Sequence, residues 1–286
     1  MEDRFEDTKK AGIFGILGNV FLLFIKSGIG LITGSQSMIA DSANSASDIF
    51  SSLMTFIGNK IASTPGDESH NFGHGKAEYI FSFLISISMI LLALKLLLDS
   101  ALSLFNHHTF TFSWILVIVC IATIITKLTL YLYVHKLNKK HQNILLEANM
   151  KDHRNDCIVT TFTLISIIFS LIDIYWIDGI VGMAISVWIC YTGIKIFIES
   201  YNVLMDISLD SETRNLILSL TEKYKDIQKV KHFYTIPVGY QHVVVLTIYV
   251  DGNMTTFKSH ELADNLENEI KNIDKIYRAI IHVNPI

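Results

Sequence analysis

The chain has 286 residues, 50% hydrophobic and only 17% charged, with a formal net charge of −4 at pH 7. Ordinary soluble domains carry about a quarter charged residues, so this composition excludes a plain soluble protein. The mild acidity offers nothing to nucleic acid, and no nucleic-acid partner is expected.

In chain order, residues 1–10 are polar and mixed in charge and lack the basic, apolar and small-residue regions of a signal peptide, so they are read as a cytosolic N-terminal segment. A membrane span needs about 20 largely apolar residues, and six such stretches follow: 11–32, 37–61, 77–104, 112–134, 143–171 and 177–198. Together they predict a six-helix transmembrane domain over 11–200. The second stretch is the most polar and the third the clearest.

Lysines mark one side. Lys9 and Lys10 precede the first span, Lys76 closes the second-to-third loop, and Lys136, Lys139 and Lys140 fill the fourth-to-fifth loop. The loops at 34–36, 105–111 and 173–178 carry no Lys or Arg. Basic loops stay in the cytoplasm and an even span count returns the chain to its starting side, so both termini are expected there. Cys120, Cys157 and Cys190 fall singly in apolar stretches and predict no disulfide or thiolate centre. Lys26, Lys95, Asp99 and Lys127 lie within spans. Lys95 and Asp99, four residues apart, are expected to neutralise each other, while Lys26 and Lys127 are expected to snorkel or face polar cavities without a functional role.

Residues 206–286 have ordinary soluble composition. They read as a helix from 211, with Ser211 as its N-cap, strands at 229–237 and 242–250 joined by a Gly239-Tyr240 turn, a helix at 255–273 and a strand at 277–283. The order αββαβ predicts an α+β domain of ferredoxin or metallochaperone type, helices on one face of a three-stranded sheet. Its second strand is nearly all apolar, so the other sheet face needs a cover, which a homodimer would supply.

The chemistry concentrates in two spans. The stretch Asp41-Ser-Ala-Asn44-Ser-Ala-Ser-Asp48 places Asn44 and Asp48 four apart, and Asp152-His-Arg-Asn-Asp156 does the same for Asp152 and Asp156. Positions i and i+4 share a helix face, so two facing helices can surround a divalent cation with four oxygen-bearing side chains. Polar glue between helices explains Ser42, Ser45 and Ser47 but not several acids, which repel in low dielectric unless a cation or protons hold them. An all-oxygen set suits hard ions such as Mn²⁺, whereas a zinc carrier calls for imidazole or thiolate. His153 adjoins Asp152 and is expected to point about 100° away from the binding face.

These two stretches resemble the second and fifth spans of the cation diffusion facilitators, a resemblance that covers nearly the whole chain. Zinc-carrying members place His at one or both of the first positions, which Asn44 and Asp152 hold here; the Asn-Asp/Asp-Asp set resembles the manganese-exporting branch. The resemblance implies further sites. The loop Asp67-Glu-Ser-His70-Asn-Phe-Gly-His74-Gly-Lys-Ala-Glu78 is similar to the family's HxxGHxxxE signature, and Asp67, His70 and His74 match a second metal position. Lys76 and Asp206 match a salt bridge joining the membrane and cytosolic domains. His232, His260 and His282 match a cytosolic metal site, weakened by Thr247 and Asn284 where His and Asp often stand.

The expected function is proton-coupled efflux of Mn²⁺ from the cytoplasm by alternating access, in the multi-pass plasma membrane of a bacterium, by a homodimer in a lipid bilayer. No enzymatic chemistry and no resident cofactor are expected beyond the transported ion and a bound Zn²⁺ or similar ion at the secondary sites. The alternatives are export of Zn²⁺, Fe²⁺ or Co²⁺, and a membrane metal sensor or scaffold that binds without transport.

Overall fold

The computed structural model describes residues 2–33, 36–105, 114–169 and 176–286; the side chains of residue 2, 30, 33, 36–44, 47, 103–105, 166, 167, 169, 176–179 and 181 fall outside the description. Six long helices come first: α1 (Glu2–Thr33), α2 (Gln36–Ala62), α3 (Ala77–Phe105), α4 (Trp114–His141), α5 (Ile144–Phe169) and α6 (Trp176–Leu204). Among the described residues, four of them, α1, α3, α4 and α6, contain stretches long and apolar enough to cross a membrane by composition alone. The other two, α2 and α5, carry the polar stretches singled out above.

The chain divides into two compact units, residues 1–63 with 77–200, and residues 64–76 with 201–286. In the first, outward apolar side chains such as Phe24, Leu98 and Ile118 are exposed while many polar side chains, such as Asn19, Ser52 and Asn149, are buried beside Leu22, Ile85 and Leu145, the pattern of helices that face lipid. Helix α1 approaches its neighbours through glycines. A Cβ on Gly12 would lie 3.0 Å from the Phe56 Cβ, one on Gly15 2.5 Å from the Ser52 Oγ, and one on Gly18 2.8 Å from Leu130. Larger residues at these positions would push α1 away from α2 and α4.

Residues 2–10, read from sequence as a cytosolic N-terminal segment, form the first turns of α1. Thr8 and Arg4 are buried, and Arg4 forms a bidentate pair with Glu78 of α3 at 2.8 and 2.5 Å. Asn143, at the start of α5, donates to Glu78 Oε1 at 3.1 Å and to Thr8 Oγ1 at 3.3 Å.

The second unit contains α7 (Ser211–Glu222), β1 (Lys229–Pro237), β2 (His242–Val250), α8 (Thr256–Lys271) and β3 (Ile276–Pro285). The sheet order is β1-β2-β3, with β1 antiparallel and β3 parallel to β2. Val244, Leu246, Ile248 and Val250 face Ile217 of α7 and Leu262, Leu266 and Ile270 of α8 in one core, which is the αββαβ layering read from the sequence. The N-cap of α7 is Asp210 rather than Ser211: its Oδ1 accepts from the Thr213 N–H at 2.9 Å. That N–H, then Lys275, draws the Asp210 carboxyl down to about 2. The cap is therefore fully stabilising above the ordinary aspartate range and fades only as pH falls toward 2.

Candidate metal transport site

Asp48 sits in the middle of α2 and Asp156 in the middle of α5, both largely shielded. One oxygen of each lies 2.6 Å from the Nζ of Lys127, from α4. The two carboxylates thus converge on one point, no further apart than about twice that distance. Asp152, one turn before Asp156, is 5% exposed; it accepts a hydrogen bond from Ser51 of α2, and its Oδ2 has no partner among the described residues. Asn44 lies on α2 one turn before Asp48, with its side chain outside the described residues. Asn19 of α1 braces the site by donating to the Asp48 carbonyl at 3.0 Å and to Ser52 Oγ at 3.2 Å.

Two features differ from the sequence reading. His153 does not point away: a ring nitrogen of His153 and carboxylate oxygens of Asp152 and Asp156 all lie within 4.8 Å of one another. The ring is fully buried, and neither nitrogen has a hydrogen-bond partner among the described residues. The physical reason is that Asn149, Asp152, His153 and Asp156 stand at i, i+3, i+4 and i+7, one helical stripe. A face that wide accommodates two residues 100° apart. The signal was in the sequence, in the pairing of Asn149 with His153.

Of the two expectations for Lys127, facing a polar cavity holds and snorkelling does not, and the group is no bystander. Its side chain is 1% exposed and bridges two acids. Its signal was a stripe in α4, Thr123, Lys127, Leu130 and Val134, all buried. A cavity of about 110 Å³ adjoins the bridge and is lined also by Lys26 of α1, Lys95 and Asp99 of α3, and Thr160 of α5. The four intramembrane charges set aside from sequence thus share one cavity with the site acids.

The loop residues Asp67, His70 and His74 also come together, with ligand atoms within 4.8 Å. Asp67 Oδ1 accepts from the backbone N–H groups of His70 at 2.6 Å and Ser69 at 2.9 Å. These bonds, the His70 one first, lower the Asp67 pKa and keep it an anion beside the imidazoles. The cluster belongs to the second unit, where Gly75 meets Gly239, whose φ of +90° suits glycine. Lys76 and Asp206 form an exposed pair at 2.7 Å, and both also fall in the second unit. Exposed pairs contribute little to stability.

The three histidines of the sheet domain do not converge within one chain. His232 and His282 each pair with Thr247, on the sheet face opposite the helices. His260 lies on α8, beyond the sheet, with Asp264 at 3.4 Å. Helices on only one face make this separation unavoidable.

Comparison with known proteins agrees with this anatomy. The family described as "Cation efflux transmembrane domain" matches residues 12–205, and "Cation efflux protein, cytoplasmic domain" matches residues 209–286. The manganese efflux system protein MneS of Bacillus subtilis is 28% identical over 99% of both chains. Magnetosome protein MamM of Magnetospirillum gryphiswaldense is 27% identical over 94% of this chain and 87% of its own. Among solved structures, the metal-bound C-terminal domain of the CzcD transporter from Thermotoga maritima is 27% identical, covering 26% of this chain and 87% of that one at a TM-score of 0.25. With family matches spanning both the helical and the α+β regions, the chain belongs to the cation efflux family, the cation diffusion facilitators, and is a multi-pass membrane transporter of metal cations rather than an enzyme.

Proposed function

We propose that the chain exports Mn²⁺ from the cytoplasm in exchange for protons, by alternating access around Asp48, Asp152, Asp156 and Asn44. The observation that carries this reading is the convergence of the Asp48 and Asp156 carboxylates on a single cationic position, with Asp152 one turn away. Carboxylate and amide oxygens favour a hard dication. Metal and protons compete for the same oxygens, because acids this close repel once the ion departs. The name of MneS supports manganese as the cargo. The lysine-bearing loops support cytoplasmic termini, and the bacterial relatives support a bacterial plasma membrane.

His153 favours a second reading. An imidazole so close to two carboxylates suits a borderline ion such as Zn²⁺, Fe²⁺ or Co²⁺. Sealed vesicles holding the purified protein, a metal indicator and a pH indicator separate the two. Mn²⁺ entry with matching proton exit is the expected result. Zn²⁺ flux without Mn²⁺ flux would replace the first reading with the second, and metal flux indifferent to a collapsed pH gradient would remove proton exchange.

The loop cluster Asp67, His70 and His74 is proposed to hold a second divalent ion. Asp67→Asn is expected to remove one bound ion per chain while flux persists; unchanged stoichiometry would refute this. The chain is further proposed to dimerise through the sheet face opposite α7 and α8, where Tyr234, Ile236 and Ile280 are exposed. Ile280→Glu should halve the particle mass in light scattering, and a mass that stays unchanged counts against that interface.

A further inference from the structure

Lys127 is a charged group at the transport site that the proposed mechanism leaves without a task. Its ammonium touches Asp48 and Asp156 at 2.6 Å each, with the side chain 1% exposed. Those oxygens are the ones a metal ion must also hold. A dication in contact with both would stand beside a like charge at close range, so ammonium and metal exclude each other from these positions. Lysine is a compact charge on a flexible four-carbon stem, able to leave and return without moving its helix. There is room for it to leave: the cavity of about 110 Å³ beside the bridge is bordered by Thr160, by Lys26 and Lys95, and by a further carboxylate, Asp99 of α3, one helical turn from Lys95.

We propose that Lys127 is a tethered counter-cation of the transport site. Its ammonium holds Asp48 and Asp156 together whenever the metal is not on them, and metal binding displaces it into the cavity toward Asp99. The lysine weakens the metal's hold, which lets the carrier release its cargo and return without three uncompensated acids. This inference rests on the reading of Asp48 and Asp156 as metal ligands.

The test is Mn²⁺ titration calorimetry and vesicle flux on the full-length protein. Lys127→Gln is expected to bind Mn²⁺ at least about tenfold more tightly and to transport it more slowly, because release becomes limiting. Lys127→Arg should stay within about threefold of the parent, since it keeps the charge. Asp99→Asn, on an exposed position that does not threaten folding, should weaken Mn²⁺ binding several-fold by removing the displaced ammonium's partner. A purely structural lysine predicts the opposite sign: Lys127→Gln would loosen the site and bind metal less well. Unchanged or weaker binding in folded Lys127→Gln, or unchanged binding in Asp99→Asn, overturns the proposal. Asp156→Asn is the control for the underlying reading. If it abolishes Mn²⁺ binding while Lys127→Gln fails to tighten it, only the counter-cation falls; if Asp156→Asn binds normally, the transport site itself falls.

Discussion

Asp156→Ala, and separately Asp48→Ala, are expected to reduce Mn²⁺ flux by about 100-fold or more in vesicles holding equal amounts of folded protein. Each change removes a carboxylate ligand, and each also removes one of the two acids that the Lys127 ammonium bridges. The remaining acid is then held against a buried ammonium as a simple pair, with less negative charge to attract a dication. Losing one partner of a buried charge cluster has a large effect because the surviving charges cannot turn to water. The two variants should therefore be about equally impaired although they lie on different helices. Lys76→Ala, which breaks an exposed pair, should keep the protein folded and is the comparison for expression and stability. Flux within threefold of the parent in either aspartate variant would remove that residue from the site.

The sequence made Asp48, Asp152 and Asp156 legible because acids are costly within a span and stand out against apolar neighbours. It also announced the sheet domain, whose strands at 229–237 and 242–250 have the predicted bounds, since the strand-forming runs and the Gly239 turn between them are local signals. What it hid was partnership. Lys127 reads as a stray charge until α4 is packed against α5 and α1, and only then are two acids, one from α2 and one from α5, found on its ammonium. His153 was misplaced by treating helix faces as narrower than they are, a matter of angle rather than of chemistry. The N-cap of α7 moved by one residue to Asp210 because acid and serine stand side by side, and local propensity ranks them alike. Residues 2–10 show the same limit at larger scale: their charges look solvated, yet Arg4 finds Glu78 across 74 positions of sequence.

That long-range pair carries the second large effect. Arg4→Ala and Glu78→Ala should each lower the stability of the helical domain by about 3–5 kcal/mol, the usual cost of leaving a buried charge without its partner. The side chains are 9% and 2% exposed, and the guanidinium meets the carboxylate with two nitrogens, the geometry in which such a pair is strongest. Glu78 is the more exacting position. It accepts from Asn143 as well as from Arg4, so its removal strands donors from α1 and α5 together. Replacing both charges with apolar side chains of similar volume, Arg4→Met with Glu78→Leu, removes the desolvation cost along with the attraction and should recover much of the loss. Thermal denaturation in detergent, followed through the intrinsic tryptophans, reads all three variants. The expected order is parent, then the double variant, then the two singles. Singles within about 1 kcal/mol of the parent would mean that the pair is solvated in the membrane-bound protein, and that α1 is held to α2 and α4 by its glycine contacts alone.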